Sequence, residues 1–343
     1  MFENVKTHII VKYKKEKMVQ IRVVTLVEQG APSVMTLNTV TITPPKDDEV
    51  QIKQNVIGFN YMDIYQRSGL YPLELPSGIG LEAAGIVQDI GKNVTEFRVG
   101  DRVAYATAPQ GAYAEYRNFP AARVVHLPDE MSDEKCAATL FKGMTVEYLL
   151  NRCYDIKSDE KVLFLGSGGG VGTLAGQWGN SKGAYMIGVD GGEEKCQLAR
   201  DSGYAEVIDF TKEDVVERVR EITEGRGVPV VYDPIGGPTY QQTLDCLGPR
   251  GYFVSFGTTG GPMPAVDPPI LQKRDSLYFT RPTVATYTAK REDLVLSANS
   301  VFEMVSSNKI KVEIGQRYSL DEAVKVHEET EAGKTKGSSI LVP

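Results

Sequence analysis

Two patterns of apolar and polar positions divide the chain. From residue 18 to about 144, β-like runs are short and broken by Gly, Pro and Asp: Val19 to Val27, Glu49 to Ile57, Ala84 to Ile90, Arg102 to Tyr105 and Ala112 to Tyr116. Such spacing predicts an antiparallel, barrel-like unit. From about residue 161 the period changes, and the apolar runs Val162 to Leu165, Tyr185 to Val189, Glu206 to Ile208, Val228 to Asp233, Gly251 to Phe256 and Leu277 to Phe279 alternate with helical stretches. Six strands with helices between them predict a doubly wound parallel sheet and an α/β fold class. The helix after the first of these strands presents Val171, Leu174, Ala175 and Trp178 at i, i+3, i+4 and i+7, one apolar face. The last sixty residues return to mixed helix and strand and end in the β-like Ser339 to Val342.

Composition narrows the classes. The 343 residues are 41% hydrophobic and 24% charged, which suits two soluble domains with real cores and excludes a disordered or fibrous chain. Lys+Arg 38 against Asp+Glu 45 leaves a formal charge of −7, which argues against nucleic acid as a partner. No apolar run approaches the ~18 to 20 residues needed to span a bilayer. Cys136, Cys153, Cys196 and Cys246 fit neither a disulfide framework nor a metal knuckle and read as reduced. The Lys-rich residues 1–17 lack the apolar core of a secretory signal, so they read as a flexible N-terminal extension and the cytoplasm as the expected compartment.

The most informative segment is Gly166-Ser167-Gly168-Gly169-Gly170-Val171-Gly172, between a strand and a helix. Glycines there let the backbone turn tightly and approach a pyrophosphate, while free N–H groups at the helix start hold the anion. The segment fits a G-x-x-G-x-x-G frame on Gly166, Gly169 and Gly172 rather than strict G-x-G-x-x-G. About twenty residues on, Asp190 closes the second strand, where a carboxylate accepts from a ribose diol and repels a 2′-phosphate; taken alone it favours NADH. Lys195 argues the other way if it neutralises a 2′-phosphate, and otherwise belongs to a solvated charge cluster with Glu193 and Glu194.

With that turn in place, further segments resemble the medium-chain dehydrogenase/reductase superfamily, specifically its zinc-free, zeta-crystallin-like quinone oxidoreductase branch. The carriers are Gly58-Phe59-Asn60-Tyr61-Met62-Asp63, Arg67-Ser68-Gly69-Leu70-Tyr71-Pro72, Gly80-Leu81-Glu82-Ala83-Ala84-Gly85, Val99-Gly100-Asp101-Arg102-Val103 and Phe141-Lys142-Gly143-Met144-Thr145, followed by Gly169-Gly170-Val171-Gly172, Tyr232-Asp233, Val254-Ser255-Phe256-Gly257, Thr280-Arg281-Pro282 and Gly337-Ser338-Ser339. The resemblance covers about residues 20 to 343. It implies a GroES-like catalytic domain from residues 18–144 and 280–343, with a Rossmann domain, 145–279, inserted between them. Zinc relatives carry Cys where Asn60 stands and Gly-His-Glu where Gly80-Leu81-Glu82 stands, so neither catalytic metal ligand is present and no metal is expected. His8, His126 and His327 read as surface or capping residues.

Without a Lewis acid the expected chemistry is hydride delivery to an acceptor that is already electrophilic, a quinone or other small carbonyl. By resemblance, Asn60, Tyr61 and Asp63 line the nicotinamide end of the cleft, and Tyr65 and Tyr71 its substrate mouth. The cofactor is expected to meet Thr145, Gly169, Gly170, Val171, Gly172, Asp190, Lys195, Phe210, Phe256, Gly257 and Gly337. NADPH is the family's usual cofactor; Phe210 stands where NADPH-preferring members often carry Tyr, which with Asp190 leaves NADH open. An alkenal or enone reductase and a nucleotide-binding protein with a structural or RNA-binding role are the alternatives. The resemblance also implies a homodimer.

Overall fold

The six apolar runs of the second half form one parallel sheet in the order Glu206–Asp209, Tyr185–Asp190, Lys161–Leu165, Val228–Asp233, Leu247–Ser255, Tyr278–Thr280. This comes from a computed structural model that describes residues 19–343; the expectation for residues 1–17, and His8 with it, lies outside the described residues. The strand order reverses direction beside Lys161–Leu165. The loops after that strand and after Val228–Asp233 therefore diverge and leave a crevice at their carboxyl ends, where open α/β sheets bind ligands. Val162, Leu163, Phe164 and Leu165 are all buried, as a central strand covered on both faces requires. The helix Gly170–Ser181 buries Leu174, Ala175 and Trp178 on the expected face, with Val171 half-buried beside them.

The first half and the C-terminal residues build a second sheet together. Its order is Ile314–Ser319, Ser338–Val342, Glu49–Gly58, Glu82–Ile90, Arg102–Ala106, Val125–His126, with Tyr116–Pro120 also pairing with Glu49–Gly58. Val19–Leu26 and Met35–Ile42 form a small separate sheet with Ser77–Gly78. The register matters for function: Gly58 lies opposite Glu82 on one side and Ile340 on the other. The end of the Glu49–Gly58 strand is thus held centrally, and the chain emerges from it as Phe59-Asn60.

Two local expectations need correction. The run Ala112 to Tyr116 is mostly loop, with a single bridge from Ala114 to Val23, and the strand begins at Tyr116. Its early residues are apolar because Ala112 and Tyr113 plug the core, not because they pair in a ladder. Met35–Ile42 is a further strand outside the runs read from the sequence; its apolar Met35, Leu37, Val40 and Ile42 alternate with Thr and Asn except for a slip at Asn38-Thr39, and most of both faces is exposed. The boundary at 144/145 falls inside the helix Asp133–Tyr148, and that at 279/280 inside the last strand of the parallel sheet. The helix Arg291–Ser306 contributes Leu294, Ala298 and Val301 to the same core as Val162 and Phe164. Cys136, Cys196 and Cys246 are buried free thiols and Cys153 is half-buried. No helix among the described residues is long and apolar enough to cross a membrane.

Candidate active site

Asn60 begins the helix Tyr61–Ser68, in extended conformation as an N-cap should be. Its main-chain N–H donates to Asp63 Oδ2 at 3.0 Å, and the Asp63 N–H, in capping-box position toward the Asn60 side chain, hydrogen-bonds the Asn60 carbonyl at 2.9 Å. The Asn60 carboxamide is directed by a different group: Nδ2 donates to Glu82 Oε2 at 2.7 Å. The other oxygen, Glu82 Oε1, accepts from the Phe141 N–H at 2.8 Å. Glu82 therefore ties the catalytic-domain sheet, the Asn60 turn and the Asp133–Tyr148 helix at one point. Gly58 is required beneath it, because a Cβ there would sit 2.4 Å from Glu82 Oε2 and 2.1 Å from the Ala137 carbonyl.

The surroundings are a buried ionisable cluster. Asp63 and Glu82 are fully buried and Asn60 is 2% exposed. Burial pushes the Asp63 carboxyl up to about 7, against the opposing hydrogen bonds from Asn60 and Tyr113. It pushes Glu82 up to about 6, against the nearby charge of Lys142. The Lys142 ammonium, buried with its stem, is driven down by burial and partly restored by Glu82 and Asp63. Below them Tyr113 donates from its hydroxyl to Asp63 Oδ2 at 3.1 Å and lies 3.3 Å from His327 Nε2. His327, read from the sequence as a surface or capping residue, is instead completely buried against Phe59 and Tyr113, and burial takes it down to about 3, so it is neutral. His126 is exposed.

Asp63 thus sits under the site, its Oδ2 accepting from both Asn60 and Tyr113 and its Oδ1 without a partner among the described residues. The tyrosines form a wall beside it, with ring centroids 5.3 Å apart for Tyr61 and Tyr65 and 5.2 Å for Tyr65 and Tyr71. Tyr61 is 40% exposed, whereas Tyr65 is buried and its phenol is raised to about 12 by desolvation. Arg281 joins this wall to the parallel sheet: it donates to the Tyr71 hydroxyl at 3.1 Å, to Ser255 Oγ at 2.8 Å and to the Gly257 carbonyl at 2.6 Å.

The glycine turn is built for close backbone approach. A Cβ on Gly172 would lie 2.2 Å from the Gly166 carbonyl, and one on Gly168 2.4 Å from the Lys195 carbonyl. Gly169 caps the helix Gly170–Ser181, whose first N–H groups face the crevice end of the sheet. Thr145 is buried, its hydroxyl bonded to the Phe141 carbonyl. The Gly337 carbonyl approaches the position of a Gly170 Cβ to 4.0 Å, and Phe256 is half-buried against Phe164. At the far end the Asp190 carboxylate is occupied, accepting from Gly168 N–H at 2.8 Å and Gly191 N–H at 2.9 Å. Asp190 therefore fastens the turn to the end of its strand, a role its spacing alone did not reveal. Lys195 is exposed and makes no hydrogen bond or ion pair among the described residues. Phe210, 55% exposed, lies over Gly191.

The structure places the sequence-predicted residues in two groups, Asn60, Tyr61, Tyr65 and Tyr71 on and beside the helix Tyr61–Ser68, and Asp190, Lys195 and Phe210 after the ends of the parallel strands, with Lys142 and Arg281 linking the first group to the parallel-sheet unit. Glu82, Lys142, Tyr113 and Arg281 were not read as site residues. Glu82, Lys142 and Arg281 stood inside resembling segments, but their contacts arise from strand register and helix packing. Among the described residues no group of three or more His, Cys, Asp or Glu side chains is placed to hold a metal ion. Leu81 is buried and offers no ligand atom.

Comparison with known proteins agrees with this geometry. Residues 46–129 match the alcohol dehydrogenase GroES-like domain family and residues 170–294 the zinc-binding dehydrogenase family. The chain is 46% identical over 321 residues to a quinone oxidoreductase of Salmonella typhimurium, covering 92% of this chain and 98% of that one. It is 35% identical over 325 residues to a 2-haloacrylate reductase of a Burkholderia species, covering 92% and 97%. The crystal structure of Escherichia coli quinone oxidoreductase complexed with NADPH superposes with a TM-score of 0.92 at 43% identity, covering 94% of this chain and all of that one. The chain belongs to the quinone oxidoreductase branch of the medium-chain dehydrogenase/reductase superfamily.

Proposed function

We propose that this protein is an NAD(P)H:quinone oxidoreductase that uses NADPH and reduces quinones without a catalytic metal. The observation that supports the reading most is the buried Asn60–Glu82 hydrogen bond, in the segments where zinc relatives carry metal ligands, linked through Lys142 to the glycine turn at a helix start. The cofactor fits that turn because Gly168 and Gly172 let its backbone fold tightly against Lys195 and Gly166, which brings the start of the helix Gly170–Ser181 to the end of the strand as a pyrophosphate site requires. When bound, NADPH supplies the hydride.

The protein's own residues do the rest. Gly170, Val171 and Gly172, the first residues of the helix, present backbone donors to the pyrophosphate, the Gly169 N–H being held by the Gly166 carbonyl, and Lys195, free of any partner among the described residues, is the cation available to a 2′-phosphate. The second N–H of Asn60 Nδ2 donates to the acceptor oxygen as negative charge builds on it, in a site dry enough for that bond to count. Tyr61, Tyr65 and Tyr71 offer aromatic faces to a flat acceptor. Asp63 holds the Asn60 main chain and takes no direct part.

Initial rates of NADPH and NADH oxidation with a panel of quinones test this reading, with elemental analysis for zinc on the same sample. Quinone-dependent turnover that survives chelation is expected; stoichiometric zinc whose removal abolished the rate would overturn the metal-free part. Reduction of an activated alkene is the second reading, favoured by the similarity to a 2-haloacrylate reductase and by the exposed Tyr61 hydroxyl as a proton donor to carbon. A homodimer is the proposed assembly, measurable by sedimentation equilibrium.

A further inference from the structure

We propose that Lys142 is a cofactor-contact residue whose ammonium donates to a hydroxyl of the ribose next to the nicotinamide. The inference rests on the proposed use of NADPH and concerns one side chain that this use does not yet explain. Lys142 is only 8% exposed, and among the described residues its ammonium makes a single hydrogen bond, to the Phe59 carbonyl at 3.0 Å. An ammonium carries three donors, so two are left unfilled in a place where unfilled donors are costly. Glu82 and Asp63 exert their negative charge on it, yet neither accepts a hydrogen bond from it: Glu82 is committed to Asn60 and Phe141, and Asp63 Oδ2 to Asn60 and Tyr113, while Asp63 Oδ1 has no partner among the described residues. A buried cation with spare donors and no direct counter-ion calls for an oxygen from elsewhere.

Its position says which oxygen. The lysine stem crosses the first residue of the helix after the glycine turn, with Cδ and Cε 3.3 Å from where a Gly170 Cβ would lie, and Gly337 flanks the same point. The ammonium then turns away from that helix start onto Phe59, the residue before Asn60. A ligand whose pyrophosphate rests on the helix start and whose reactive ring reaches Asn60 must pass Lys142 with the sugar between them. The buried carboxyls of Glu82 and Asp63 disfavour a phosphate beside the ammonium, whereas a neutral hydroxyl meets no such repulsion and still accepts a charge-assisted bond.

The test is equilibrium binding to the purified protein, by calorimetry, with Lys142→Met beside wild type. Four ligands separate the possible contacts: NADPH, 2′-phospho-ADP-ribose, which keeps the second ribose but lacks nicotinamide, adenosine 2′-phosphate 5′-diphosphate, which also lacks that ribose, and adenosine 2′,5′-bisphosphate. Loss of roughly tenfold to a hundredfold is expected for the first two and none for the last two, the range for one hydrogen bond to a charged group. A loss shared by the diphosphate would assign the lysine to phosphate, and a loss confined to NADPH would assign it to the nicotinamide. Equal losses for all four, or none, would reduce Lys142 to a structural residue; each of these overturns the proposal. Lys142→Gln keeps a donor of similar reach, should lose less than the Met variant, and carries the same comparison if that variant does not fold. Failure of wild type to bind any of the four would count against NADPH itself rather than against Lys142.

Discussion

Replacing Asp63 with Asn should flatten the dependence of stability on pH without removing the hydrogen bonds that position Asn60. Asp63 Oδ2 accepts from both Asn60 N–H and the Tyr113 hydroxyl, and an Asn carbonyl oxygen in its place accepts both as well. What changes is the charge. Burial raises the folded-state carboxyl from 3.8 to about 7, so between about pH 4 and pH 7 the folded protein holds a proton that the unfolded chain has already released. The folded state then binds more protons than the unfolded one, and stability falls as pH rises through that window. The full interval corresponds to about 4 kcal/mol at about 1.36 kcal/mol per pH unit, an upper figure because Glu82 ionises nearby and the two share part of the effect. The group is completely buried, so solvent screening does not reduce it further. Urea unfolding at half-unit steps from pH 5 to pH 9 measures the slope directly. The variant carries a constant cost of about 1 to 3 kcal/mol, since its amide nitrogen takes the place of Asp63 Oδ1, which has no partner among the described residues. The slope is therefore the readout, not the level. Wild type should lose about 1 to 3 kcal/mol more than Asp63→Asn between the ends of the range, since only the part of the window above pH 5 is sampled. Parallel curves would mean that Asp63 is ionised in the folded protein throughout and that the cluster is more polar than its burial indicates.

Other expectations follow from the same geometry. Asn60→Ala should lower kcat/KM for a small quinone by roughly tenfold to a hundredfold, while the NADPH dissociation constant measured by fluorescence titration stays nearly constant; the reverse pattern would make Asn60 a cofactor-holding residue. Gly172→Ala should abolish measurable cofactor binding in the same titration, because its Cβ would lie 2.2 Å from the Gly166 carbonyl and the turn must open. Lys195→Ala should reduce the preference for NADPH over NADH by roughly tenfold in kcat/KM, whereas Asp190→Ser should weaken both cofactors by calorimetry, since it removes the acceptor that holds the Gly168 and Gly191 N–H groups.

The parts legible in the sequence are those that a short window determines. Val162 to Leu165 declares a central strand because both its faces are apolar, and the glycines that follow declare the turn because no other residue fits there. Asn60 and the tyrosines are neighbours in one capped helix, so a resembling segment carries them together. What stayed hidden depends on pairing across the chain. Glu82 meets Asn60 because Gly58 and Glu82 are register partners, a relation that no spacing of 22 residues expresses. Lys142 reaches Phe59 only once the Asp133–Tyr148 helix has packed beneath the glycine turn, and Arg281 joins Tyr71 to Gly257 across a separation of 210 residues in the chain. Asp190 was legible as an acid at the right distance but not as one already occupied, because its partner Gly168 is fixed by the shape of the turn. His327 inverts the bland expectation for a lone histidine: its burial, and with it its neutral state, comes from Phe59 and Tyr113 closing over it from the other end of the domain. Local sequence thus announces the candidate ligand-facing segments, while the buried groups that hold those segments in place appear only when strands distant in the chain are brought into register.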